Sequence, residues 1–245
     1  MSALSPSPAG RQAIVTGARG GIGRAICDAL AAGGATVAAC DVAGSGAEFE
    51  FDVRDRDAVA AGVEAAVQSL GGPCDAVVAN AGVVDTIHRA ERFSDEAWQL
   101  DLQVNLTGAF NVIQAAFELL SASGDGRVVV ISSVAAEIGL PGQVAYGASK
   151  AGLVGMARTL AGEWGPRGVR CNVVMPGMIA TPKVLEMPEA LRERLTPMVP
   201  LQRFGSTDEL AGVVAFLLSP AAGYLNGAVL RVDGGFGLSP GAMTG

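Results

Sequence analysis

Along this chain, apolar runs of four to six residues alternate with longer stretches whose apolar positions recur every three or four residues. The short runs lie at 13–16, 36–41, 49–52, 75–80, 127–132, 170–175 and 228–232. They are rich in Val, Ile and Ala, and most are apolar on both faces. That pattern predicts strands of a parallel sheet buried between helices. The stretches at 22–32, 55–70, 95–120, 144–164 and 207–218 carry the helical period. Ser94-Asp95-Glu96 and Ser206-Thr207-Asp208-Glu209 offer cap hydroxyls and first-turn carboxylates to two of them. Regular alternation of this kind predicts an α/β fold, a doubly wound (Rossmann) parallel sheet of seven strands with helices on both faces.

Two segments break the rhythm. The link from 41 to 49 is short and carries Gly44-Ser45-Gly46, so its crossover helix is expected to be missing or a single turn. Residues 177–205 are punctuated by Pro182, Pro188, Pro197 and Pro200. They read as an insertion over the C-terminal edge of the sheet, with a substrate lid at about 178–205. Residues 1–10, rich in Ser and Pro, are expected to be a disordered extension before one domain spanning 11–245.

Composition narrows the partners. A chain of 245 residues that is 50% hydrophobic can bury a sizeable core. Its net charge of −7 argues against nucleic-acid or anionic-membrane surfaces, which need clustered Lys and Arg. The first twelve residues lack the apolar run of a signal peptide, and no apolar stretch reaches the roughly 18 residues of a membrane span. Cys27, Cys40, Cys74 and Cys171 are scattered without a C-x-x-C pair, so reduced thiols and a cytoplasmic location are expected. With His88 as its one histidine, the chain offers neither metal ligands at useful spacing nor a Ser-His-Asp set, and no metal is expected.

The chemistry sits in two motifs. Thr16-Gly17-Ala18-Arg19-Gly20-Gly21-Ile22-Gly23 follows the first strand and opens the first helix. Glycines there permit a tight turn and close backbone approach to a dinucleotide pyrophosphate. Asp41 ends the second strand about 20 residues on, where a carboxylate takes the ribose hydroxyls and repels a 2′-phosphate. NAD is therefore expected over NADP, with Arg19 in the turn as the opposing signal. Tyr146-Gly147-Ala148-Ser149-Lys150 puts a phenol and an ammonium one helical turn apart, where the cation can lower the phenol's pKa.

Together with Asn80-Ala81-Gly82, Asn105, Ser132-Ser133 and Pro176-Gly177, these motifs resemble the short-chain dehydrogenase/reductase family, in the family's order, from about residue 11 to Gly235. The resemblance implies interconversion of a secondary alcohol and a ketone, with the hydride going to the B face of the nicotinamide. Tyr146 would be the general acid/base and Ser133, rather than Ser132, would orient the substrate oxygen. Lys150 would bind the nicotinamide ribose, and Asn105 would hold a water relaying protons to solvent. Gly17, Arg19, Gly21, Ile22, Gly23, Asp41, Asn80, Ala81 and Gly82 would line the pyrophosphate and ribose. Asp52 and Val53 would meet the adenine, and Pro176, Gly177, Ile179 and Thr181 the carboxamide. Gly20, where NADP-using members often carry a base, also supports NAD. The family further implies a homo-oligomer, expected here as a tetramer, pairing through the fourth and fifth long helices and the C-terminal strand.

Within this reading, 3-oxoacyl-carrier-protein reductases and cyclic diol dehydrogenases are the alternatives. Tyr224-Leu225-Asn226-Gly227 and Val232-Asp233-Gly234-Gly235 resemble the former. Asp41 and the absence of basic residues over 121–126, where such reductases dock an acidic carrier, speak against them, with Arg167 as a remnant. A silent dinucleotide-binding regulator would need a broken catalytic set, and here the set is whole. The apolar Ile138, Leu140 and Val144, with Met178, Leu185, Met187, Leu191, Leu195 and Met198 above them, predict a small to medium, partly apolar substrate. Lys183, Arg192 and Arg194 in the same segment leave room for an anionic group.

Overall fold

The computed structural model describes residues 5–84 and 87–238. Its strands are β1 (Gln12–Thr16), β2 (Thr36–Asp41), β3 (Phe49–Glu50), β4 (Ala76–Ala79), β5 (Gly126–Ile131), β6 (Val169–Pro176) and β7 (Val229–Val232). They form one parallel sheet in the order β3-β2-β1-β4-β5-β6-β7. The chain winds outward from β1 to β3 and then returns to lay β4 on the other side of β1. That reversal opens a crevice at the C-terminal ends of β1 and β4, where folds of this class bind ligands.

Helices cover both faces. On one side lie α1 (Gly21–Ala32) and α10 (Thr207–Leu218), packed on each other and on residues such as Val15, Val78, Val129 and Val174. On the other lie α2 (Arg56–Leu70), α4 (Ala109–Ala115) and α7 (Val144–Trp164), over Ile14, Val77, Val128 and Val173. Both faces of the central strands are therefore buried, which is why they read as continuous apolar runs. Caps fix the helix starts: the Asp55 carboxylate accepts from the Asp57 and Ala58 N–H groups, and Ser206 with Glu209 forms a capping box.

Several expectations need correction. The helix expected over 95–120 is three helices, α3 (Asp95–Leu102), α4 and α5 (Phe117–Ala122), with a π turn at Gln103–Gly108. The extra residue in that turn brings the helix hard against the β3–α2 link: a Cβ on Gly108 would lie 2.5 Å from Val53 Cγ2. Strand β3 keeps two of its four expected residues. Phe51 still donates to the Asp41 carbonyl, but Asp52 then turns the chain by bonding the Arg54 backbone and guanidinium. The β2–β3 link, by contrast, lacks its crossover helix as expected. Its Gly44 and Gly46 N–H groups, both on left-handed backbone, fold onto the Glu50 carboxylate. A short helix α6 (Ala135–Ile138), not anticipated, follows Ser133.

Residues 1–4 of the expected disordered extension lie outside the described residues. Pro8, from the same extension, is buried against Gly33, and the Ser7 hydroxyl donates to the Gly33 carbonyl at 2.6 Å. Just beyond, Arg11 bonds Asp75, Asp125 and the Leu218 carbonyl, tying β1 to the starts of β4 and β5 at the edge opposite the crevice. Cys40, Cys74 and Cys171 are buried free thiols, each pushed up to about 12 by burial. Among the described residues, no helix is long and apolar enough to cross a membrane.

Candidate active site

The C-terminal ends of β1, β2, β4, β5 and β6 open onto a cavity of about 880 Å³, within the range of ligand sites. One end is the glycine turn. The Asn80 side chain donates to the Thr16 and Gly17 carbonyls at 3.0 Å, and the Thr16 hydroxyl accepts from the Asn80 and Ala81 N–H groups at 3.2 Å. The end of β4 thus clamps the turn. Gly17 is left-handed, and a Cβ there would lie 2.8 Å from Ala81 Cα. A Cβ on Gly23 would lie 1.9 Å from the Gly17 carbonyl oxygen, and one on Gly21 2.8 Å from Pro182 Cδ.

Helix α1 has Gly20 as its N-cap, with no side-chain cap and no carboxylate in its first turn. Its N–H groups and positive dipole end therefore meet the cavity without a competing anion, as a pyrophosphate requires. Asp41 stands at the rim of the same end. Its carboxylate accepts from Arg19 N at 2.8 Å and Val42 N at 2.7 Å, which holds both oxygens in place with lone pairs to spare. The Arg19 guanidinium reaches toward the β2–β3 link, near Gly46. These residues fit a dinucleotide.

Asp52 and Val53 line the next part of the wall. The Asp52 carboxylate is lowered chiefly by its hydrogen bonds with the Arg54 guanidinium, so its oxygens are already engaged. The Val53 carbonyl accepts from the Asn111 side chain at 3.0 Å.

At the other end, α7 presents Tyr146 and Lys150 on one face. Tyr146 is raised from the usual phenol range by burial. A hydrogen bond with Ser133 works the other way, and the charge of Asp101 adds to the rise. Lys150 is drawn down to about 8 by burial, with Asp101 opposing. The net displacement of Tyr146 is therefore upward, against the direction that Lys150 alone would give. Its Nζ stands 5.7 Å from the Tyr146 ring centroid and donates to the Ile131 carbonyl at 2.9 Å. The two serines separate cleanly. Ser132 gives its hydroxyl to the Lys150 backbone carbonyl at 2.7 Å, whereas Ser133 faces Tyr146.

Pro176 ends β6, Gly177 follows it, and Ile179 pairs with Gly205 where the insertion returns. A Cβ on Gly177 would lie 2.6 Å from Asp233 Cβ, so the loop passes tightly under the C-terminal segment. Thr181 caps α8 (Pro182–Leu185), which precedes α9 (Glu189–Leu195). Met178 packs with Val134, Leu140, Val199 and Phe236, while Leu185 and Met198 are about half exposed.

Every residue assigned to the site from the sequence lines this cavity except Asn105. Asn105 is fully buried behind the wall, in the π turn. Its side chain accepts from Val83 N at 2.7 Å and donates to the Val83 carbonyl at 3.0 Å and to Ser149 Oγ at 3.2 Å. Ser149 in turn donates to the Tyr146 carbonyl. Sequence reasoning missed Arg54, Asp101, Asn111 and Ser149. For Asp101 and Ser149 a signal existed: each is a polar residue one helical turn from a motif residue, on the side that must face inward.

A family model described as enoyl-(acyl carrier protein) reductase matches residues 17–237. The (3R)-3-hydroxyacyl-CoA dehydrogenase of Mus musculus is 40% identical, covering 91% of this chain and 95% of that protein. The 3-oxoacyl-[acyl-carrier-protein] reductase of Thermotoga maritima is 38% identical, covering 92% and 97%. Among solved structures, a short-chain type dehydrogenase/reductase from Mycobacterium marinum is 30% identical, with a TM-score of 0.87 over 96% of this chain and 98% of that one. Matched along nearly its whole length, the chain belongs to the short-chain dehydrogenase/reductase family and is an NAD(P)-dependent oxidoreductase acting on CH–OH groups.

Proposed function

We propose that the enzyme interconverts a secondary alcohol and a ketone with NAD, using Tyr146 as general acid/base. The observation that carries this is the gathering of Tyr146, Ser133 and Lys150 on the same cavity as the uncapped α1 terminus and Asp41. Bound NAD supplies the hydride acceptor for oxidation and, reduced, the donor for reduction. Tyr146 Oη takes the hydroxyl proton in one direction and returns it in the other. Ser133 donates a hydrogen bond to the substrate oxygen and keeps it within reach of the phenol. Lys150 holds the nicotinamide ribose and adds positive charge beside the phenol as it ionises. Asn105 braces the Val83 segment against α7 through Ser149 and, through a water, connects Lys150 to solvent. Pro176, Gly177, Ile179 and Thr181 hold the carboxamide, Asn80, Ala81 and Gly82 the ribose, and Asp52 and Val53 the adenine.

Among secondary alcohols, a 3-hydroxyacyl thioester is the first candidate, because relatives at 38–40% identity are named for such substrates. Delivery on coenzyme A is favoured over an acidic carrier protein. Arg167, the basic residue left for docking a carrier, already bonds Ser121 at 2.9 Å and Glu118 at 3.2 Å and lies over the Phe117 ring.

The cofactor choice rests on Asp41. Replacing it with Ala or Arg removes a carboxylate that would face a 2′-phosphate, and like-charge contacts of this kind cost several kcal/mol. The kcat/KM ratio for NAD over NADP is expected to fall about tenfold or more in Asp41→Ala, and further in Asp41→Arg. Arg19→Ala should move it less. A wild-type enzyme with a lower KM for NADP than for NAD at equal kcat would reverse the assignment.

A homotetramer is part of the same proposal. Helix α7 carries apolar residues around its circumference, and β7 ends the sheet with an open edge. Light scattering should give about four times the 24.6 kDa chain mass; one species at the mass of a single chain would exclude it.

A further inference from the structure

Helix α3 packs against α7 and the π turn, and its one buried residue is an aspartate. Asp101 is 2% exposed. It stands one helical turn before Asn105, whose side chain reaches Ser149, the residue between Tyr146 and Lys150 on α7. The titratable groups presented to it by α7 are Tyr146 and Lys150, with Arg158 and Glu163 two turns or more further along. The π turn presents none, and on α3 itself Asp95 and Glu96 lie exposed in the first turn. A carboxylate kept this dry is costly unless a neighbouring charge compensates it.

We infer that Asp101 is a positioning residue of the proton-transfer pair, a buried counter-charge that keeps Lys150 an ammonium and biases Tyr146 toward the phenol. The inference rests on the reading of Tyr146 as the acid/base. Lys150 is 4% exposed where it meets the cavity wall, and Asp101 is the charge that opposes the loss of its proton. The same carboxylate adds to burial in holding the Tyr146 proton. Both effects share a sign, because a negative charge favours the protonated form of an ammonium and of a phenol alike. Around neutral pH the site thus holds a proton ready for a ketone oxygen, and alcohol oxidation is pushed to more alkaline conditions.

Asp101→Asn removes the charge and keeps the shape. Both groups should then lose their protons at lower pH. The rising limb of alcohol oxidation and the falling limb of ketone reduction are expected to move down together, by about 0.5–1 pH unit, with plateau rates comparable to wild type. A second readout needs no turnover. The chain has two tyrosines, and Tyr224 is fully exposed, so in a Tyr224→Phe background the ultraviolet phenolate signal reports Tyr146 alone. Its midpoint should fall in Asp101→Asn, and in Asp101→Ser should the first variant not fold. Limbs and midpoint that stay put while the plateau rate drops would reduce Asp101 to a packing role, and a shift to higher pH would refute the sign. Failure of the underlying reading shows elsewhere, as retained turnover in Tyr146→Phe, with the phenolate titration of Asp101→Asn unaffected by that result.

Discussion

Tyr146→Phe is expected to lower kcat for alcohol oxidation and ketone reduction by about 10²–10⁴-fold, the usual loss when general acid–base catalysis is removed. The substitution deletes one oxygen and keeps the ring that packs beside Lys150 and Ser133. No neighbouring hydroxyl replaces it. Ser133 accepts from Ala135 N at 3.1 Å and is too weak an acid to serve alone, Ser132 is committed to a backbone carbonyl, and Tyr224 is fully exposed. NAD affinity should be nearly unchanged, because the glycine turn and Asp41 lie at the other end of the cavity. Steady-state rates with NAD binding measured in parallel separate the two effects. Turnover near the wild-type value would remove Tyr146 from the mechanism.

Gly23→Ala is expected to weaken NAD binding about 10–100-fold and to lower Tm, at a cost of about 1–3 kcal/mol typical of overpacking. The added Cβ meets the Gly17 carbonyl carbon at 2.7 Å and Ala18 Cα at 2.9 Å besides the carbonyl oxygen. All of these are backbone. The turn cannot retreat, since Gly17 is itself closed in against Ala81 and Asn80. Gly212→Ala is the control, on the exposed side of α10 with nothing within 4 Å of a new Cβ. Replacing a helical glycine there should raise stability by about 0.5–1 kcal/mol and leave NAD binding alone. Isothermal titration and thermal melts on both variants check the pair. Equal NAD affinity in Gly23→Ala and wild type would show that the close approach is not needed.

These predictions draw on a fold that is largely readable from the sequence, and for a physical reason. A parallel sheet covered on both faces turns each central strand into an unbroken apolar run, and Val77-Val78 or Val128-Val129-Val130 could hardly sit elsewhere. Strand ends then place their flanking polar residues at one edge, so Asp41, Asn80, Ser133 and Pro176 reach a common cavity without further information. The break of the 95–120 helix was not readable in this way. Asn105 and Gly108 look like ordinary helical residues, and the π turn shows only where Gly108 packs against Val53. Tertiary burial was equally hidden. Spacing brings Lys150 to Tyr146 but says nothing of the dry surroundings that pull the ammonium down and push the phenol up, nor of the Ile131 carbonyl that accepts a hydrogen bond from Lys150. Asp101 carries one sign in the sequence, its place a helical turn before Asn105, but its burial is set by the packing of α3 on α7.

Hydride exchange between NAD and a secondary alcohol is read directly as the appearance of reduced nicotinamide absorbance on mixing purified enzyme, NAD and substrate. A panel of 3-hydroxyacyl coenzyme A thioesters, simple secondary alcohols and cyclic diols should be run with wild type and Tyr146→Phe side by side, with NAD and with NADP. Wild type should turn over, faster with NAD and most strongly on a thioester or another partly apolar alcohol, and Tyr146→Phe should keep only a small residue of that rate. Wild-type enzyme that binds NAD but turns over no member of the panel, in either direction, would contradict hydride exchange.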